Sequence, residues 1–111
     1  MRMPLRYEIR PLAVFKIREF YQHVAIKYRH TYDEDDMNRN IYDALTNIYQ
    51  IEQSILRRKP TLRRWQGLHM AHAGKWFYAY SFIEDRIIIE DACHELNMHD
   101  AVEVDTHHPE D

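Results

Sequence analysis

The sequence predicts an α+β fold: a short N-terminal strand, an antiparallel two-helix hairpin, then a three-stranded antiparallel meander. Three observations carry that reading. Apolar residues recur at intervals of three and four over about five turns after residue 37. The run WFYAYSFI at residues 76–83 is aromatic or β-branched apart from Ala79 and Ser81, which is strand composition with bulk on both faces. Two turn-forming pairs, Ala73-Gly74 and Glu84-Asp85, flank that run as two-residue hairpin loops.

Taken in order, residues 5–9 (LRYEI) alternate apolar and polar and predict a short strand, halted by Pro11, which cannot donate to a ladder. From Leu12 the period changes. Ala13, Ile17, Phe20, Val24 and Tyr28 fall on one stripe of a helix ending near His30, with Lys16, Glu19, Gln22 and Lys27 on its polar side. The aspartates of residues 31–36 are placed to cap a second helix and to favour its positive end. That helix carries Met37, Ile41, Ala44, Leu45, Ile48, Ile51, Ile55 and Leu56, then ends in Arg57-Arg58-Lys59 with Pro60 as a stop. The two helices must bury their shared stripe on the sheet. The meander follows, from residues 68–72 through 76–83 to 87–93.

Two-residue loops of this kind would set His72 opposite Lys75, and Lys75 opposite His94, in one row across one face of the sheet. Strand spacing would then leave the two imidazoles flanking a gap of roughly 10 Å, wide enough for a phosphate and its oxygen substituents. A one-residue change in either loop would turn a histidine to the opposite face.

A chain of 111 residues is one domain, with 45% hydrophobic and 30% charged residues as in an ordinary globular protein. Residues 1–99 are read as that domain, and residues 100–111 as an acidic, flexible tail. The lone Cys93 cannot form an internal disulfide and sits in an apolar strand, so a buried thiol and a reducing cytoplasm are expected. No signal peptide or membrane-spanning run is visible, and no membrane partner is expected. The net charge of −3 hides a division along the chain. Asp100, Glu103, Asp105, Glu110 and Asp111 account for five of the 18 acids and no cation, so residues 1–99 set 15 cations against 13 acids and are mildly basic. Arg57, Arg58, Lys59, Arg63 and Arg64 crowd just before the meander.

The element order, the Trp65-Gln66-Gly67-Leu68 run, the Lys75-Trp76-Phe77-Tyr78-Ala79-Tyr80 strand, the Ile83-Glu84-Asp85 turn and the closing Cys93-His94 together resemble the RelE/ParE superfamily of type II toxins. The likeness covers roughly residues 5–98, and Gly67, His72, Trp76, Tyr80 and His94 are most similar to its YafQ-like branch. Lys75 stands where that branch commonly carries an acid. The resemblance implies a bacterial toxin that inhibits growth and translation as a metal-independent messenger-RNA endoribonuclease. It would work in association with the ribosome and be neutralised by a cognate antitoxin. Its alternatives are a ParE-like inhibitor that binds DNA gyrase and cleaves nothing, and a family member without toxicity.

Metal-independent RNA cleavage uses the 2′-hydroxyl as internal nucleophile, so it needs a base, an acid and cations for the developing charge. His72 and His94 are the acid–base candidates, with Glu95 behind them. Lys75, Arg63 and Arg64 would supply charge, and Trp76 or Tyr80 would stack on a base. Arg63 and Arg64, alternating along an extended chain, would face opposite sides. Each feature also has an ordinary structural reading. Strand-end histidines and carboxylates are often merely solvated, Arg57 to Lys59 suit a helix end, and Trp76, Tyr78, Tyr80 and Phe82 suit a core under the helices. His69 and His72 have opposite parity on a strand, so with His94 and His99 they form no metal site, and no cofactor is expected.

Overall fold

The computed structural model describes residues 6–53 and 62–98 and has an α+β architecture. Strand β1 (Arg6–Ile9) leads into α1 (Pro11–Lys27) and α2 (Glu34–Thr46), which runs on as a 3-10 segment (Asn47–Gln53). A short 3-10 turn (Arg63–Trp65) precedes β2 (His69–Ala73), β3 (Trp76–Ile83) and β4 (Arg86–His94). The meander is there, but β1 enlarges it into a four-stranded mixed sheet of order β1-β4-β3-β2. β1 lies parallel to β4 from Arg6–Arg86 to Ile9–Ile89. Parallel strands need a long crossover, which the helices and the two following strands provide. The three-stranded sheet expected from the sequence is corrected accordingly.

Local chemistry explains most boundaries. Pro11 does end β1, and it sits in the first turn of α1, where its missing N–H is no loss. Asp33 caps α2 by accepting from the Asp36 N–H while the Asp36 carboxylate accepts from the Asp33 N–H, a reciprocal capping box. That bond, with Arg39 beside it, lowers the Asp36 pKa. α1 ends at Lys27, earlier than the expected His30, so Tyr28 becomes a half-exposed C-cap while Tyr21 is buried in its place. α2 tightens into 3-10 geometry at Asn47, well before the expected helix end. Ile55, Leu56, the Arg57 to Pro60 stop, His99 and the acidic tail lie outside the described residues.

Both faces of the sheet are covered. Ala13, Ile17 and Tyr21 of α1, with Ala44, Ile48 and Ile51, pack on Trp76, Tyr78, Tyr80, Ile87, Ile89 and Ala92. Leu62, Trp65 and Met98 cover Met70, Ala79 and Cys93 on the opposite face. Among the described residues no helix is long and apolar enough to cross a membrane.

Candidate functional site

Register decides what the strand-end side chains can do together. The first hairpin turns at Gly74-Lys75, not Ala73-Gly74, because β2 runs one residue further and Gly74 takes φ +65°. His72 therefore faces Phe77, while Trp76 faces Ala73. The second hairpin turns at Glu84-Asp85 as the sequence predicts, but a β-bulge lies at Ala79/Tyr80, where Ala79 faces Asp91 and Tyr80 faces Ile89. Beyond the bulge His94 faces Trp76 rather than Lys75. Facing residues share a side, so Ala73, Trp76 and His94 form a row under the helices, and His72, Phe77 and Cys93 form a row on the other face. The expected row of His72, Lys75 and His94 does not exist.

The two histidines live in different surroundings. His94 is buried, stacked on Phe20 at 4.1 Å between ring centroids and edge-on to Trp76. Its Nδ1 accepts the Leu96 N–H at 3.1 Å, which assigns the ring proton to Nε2. Burial lowers its pKa; Glu95 opposes that shift and Lys75 adds to it. His94 is thus a neutral imidazole with its proton-accepting nitrogen already engaged. His72 stacks on Phe77, and its Nε2 is sealed from solvent 3.7 Å from Glu95 Oε1, with no hydrogen-bond partner among the described residues. Glu95 therefore keeps company with His72, and its N–H donates to the Lys75 carbonyl. Lys75 is exposed in the turn and lines a polar hollow with Asn40, Asp43, Asn47 and His94.

The stacking candidates are corrected as well. Trp76 and Tyr80 are each only 2% exposed, since alternation along β3 sends both beneath the helices. Trp76 donates to the Tyr21 hydroxyl at 3.0 Å and its neighbour Tyr78 donates to the Ala44 carbonyl at 2.6 Å. Only Phe82, beyond the helical cover, is exposed in that strip. Arg63 and Arg64 lie in a 3-10 turn, so strand alternation does not apply to them; both are exposed.

What the structure assembles instead is a pocket of about 280 Å³ between α1 and β4, lined by Lys16, Glu19, His23, Arg64, Cys93 and His94 among others. β1 stops at Ile9–Ile89, so among the described residues no strand flanks β4 on that side after Ile89. Lys16, Glu19 and His23 fall on one face of α1 by helical spacing. Behind them lies Asp91, buried in the sheet, whose Oδ2 accepts the Trp65 indole N–H at 2.9 Å and whose Oδ1 accepts the Ala92 N–H at 2.8 Å. Lys16 Nζ and Arg64 Nε reach the same carboxylate at 3.4 and 3.5 Å. The Cys93 thiol is buried beside them, and burial raises its pKa.

Of the candidate site residues read from the sequence, the pocket gathers Arg64, Trp76 and His94. Lys16 and Glu19 read there as an ordinary solvated helix face. Asp91 did leave a signal, an acid inside the apolar run IIIEDAC that had to find partners. Among the described residues no group of three His, Cys, Asp or Glu side chains could hold a metal ion. Comparison with family models, with curated proteins and with solved structures gives no match for this chain.

Proposed function

We propose that this chain is the toxin component of a RelE/ParE-like type II toxin–antitoxin pair, acting on messenger RNA in the cytoplasm and held inactive by an antitoxin. The element order from β1 to β4 supports the family reading. The observation that carries the RNA reading is the pocket between α1 and β4, which joins a carboxylate, two imidazoles and two cations within one concavity. The reaction belongs to that pocket and not to His72 paired with His94, which lie on opposite faces of the sheet. Glu19 takes the proton of the 2′-hydroxyl as its oxygen attacks phosphorus. His23, one turn further along α1, returns a proton to the 5′-oxygen as the P–O bond breaks. His94, fixed as an Nε2–H donor, stabilises the phosphoryl oxygen rather than accepting a proton.

The second reading, a ParE-like inhibitor that binds gyrase without cleavage, is favoured by one specific observation: the two strand-end histidines lie on opposite faces, so the expected catalytic pair is not assembled. Controlled expression in bacteria separates the readings. Loss of intact messenger RNA on induction, abolished by Glu19→Gln or His23→Ala and unaffected by His72→Ala, supports cleavage at the pocket. Intact messenger RNA with altered DNA supercoiling transfers the assignment to gyrase. Unchanged growth removes toxicity altogether.

A further inference from the structure

We infer that Lys16 and Arg64 form a preorganised phosphoryl-binding site, held open by the buried carboxylate of Asp91, for a phosphate ester that carries a hydroxyl or amino donor beside its anionic group. The RNA source of that phosphate rests on the reading above; the anion site itself does not.

The bond lengths around Asp91 carry the inference. Its two short bonds come from neutral donors, the Trp65 indole N–H and the Ala92 N–H, so each carboxylate oxygen already has a partner. The two cations approach less closely, at 3.4 and 3.5 Å, and Arg64 does so through Nε rather than with its paired terminal nitrogens. A tight bidentate pair would consume the guanidinium fork; this contact leaves it for another anion. Among the described residues the Arg64 guanidinium otherwise meets the weak acceptor Cys93 and the ring of Trp65, and Lys16 Nζ has donors left over. Asp91 thus orients both side chains toward one pocket before any ligand arrives, which spares a bound anion the cost of ordering them. Both cations remain partly exposed, so an incoming phosphate meets them from solvent without displacing protein.

Glu19 on the same pocket wall selects among anions. Its carboxylate repels a bare phosphate and accepts a hydrogen bond from a ribose hydroxyl or an exocyclic amine, so a nucleotide fits better than inorganic phosphate.

The test titrates the full chain with inorganic phosphate, a ribonucleoside monophosphate and a short single-stranded RNA, using calorimetry and the alkylation rate of Cys93 by a neutral reagent. Saturable phosphate binding is expected to weaken at least about tenfold in the Lys16→Ala/Arg64→Ala double variant. The nucleotide should bind more tightly than phosphate, and Glu19→Gln should narrow that gap. Occupancy should slow Cys93 alkylation. Competition by the RNA assigns the phosphate to a phosphodiester strand. Phosphate and nucleotide binding without RNA competition upholds the anion site and overturns its RNA source. Absence of saturable binding at millimolar phosphate, or wild-type affinity in a double variant with an unchanged circular dichroism spectrum, overturns the site. Messenger-RNA cleavage undiminished in that variant would leave the function standing while removing these two residues from it.

Discussion

Replacing Asp91 with alanine should destabilise the protein by about 2 to 3 kcal/mol, most of it from the two buried N–H groups that its carboxylate satisfies, the Trp65 indole first. Trp65 is fully buried and its indole N–H points at Asp91 Oδ2, so truncation leaves a donor with no access to water. An orphaned buried donor costs about 1 to 3 kcal/mol. The contacts to Lys16 and Arg64 add little. Those side chains are 33% and 47% exposed, and long ion pairs to partly solvated cations contribute about a few tenths of a kcal/mol each after screening. Asp91→Asn keeps an oxygen for Trp65 but sets an NH2 donor against the Ala92 N–H, so it should cost about 1 to 2 kcal/mol. Urea unfolding at neutral pH measures both, and the m-value should not change. A Trp65→Phe substitution should cost less in the Asp91→Ala background than in the wild type, because the bond is already lost there. If Asp91→Asn proves as damaging as Asp91→Ala, the indole bond does not hold this corner, and the reasoning fails.

Other outcomes follow from the same contacts. Burial lowers the His94 pKa, so the unfolded chain takes up that proton first; the stability His94 contributes is complete above its unfolded value of 6.5 and is lost as pH falls below it. His94→Asn should therefore flatten the decline in stability between about pH 7 and 5, and an unchanged slope would show that other groups govern it. Tyr78→Phe should cost about 1 to 3 kcal/mol by stripping the buried Ala44 carbonyl of its donor, read by thermal unfolding; a change under about 0.5 kcal/mol would mean water replaces the hydroxyl. At Gly74, φ is +65° and a methyl group would run into the Asn47 side chain, so Gly74→Ala should destabilise by about 1 kcal/mol or more. Shortening the obstacle with Asn47→Ala should recover part of that loss and leave the backbone strain.

Much of the fold could be read from the residues because local rules and tertiary packing agree there. The β3 boundaries follow from an unbroken strand composition, the α2 start from the Asp33 capping box, and the second hairpin from Glu84-Asp85. The burial of Cys93 follows from its apolar strand. The candidate site could not be read in this way. Regular pairing would give His72 and His94 a shared face, and side chains alternate every residue, so the one-residue bulge in the second hairpin reverses the answer.

The succession of helices and meander strands along the chain, the capped start of α2 and the apolar faces are thus properties of the sequence, since periodicity and turn chemistry act over a few residues, whereas the parallel pairing of β1 with β4 is not. Which side chains meet was settled by three-dimensional contacts. Placing the first turn at Gly74-Lys75 shifts the pairing by two residues and leaves His72 on the Phe77 face, away from the helices, whereas the one-residue bulge at Ala79/Tyr80 brings His94 beneath them. The same bulge turns Asp91 toward Trp65. A turn position and a bulge are choices among locally similar arrangements, and only packing on both faces of the sheet selects between them.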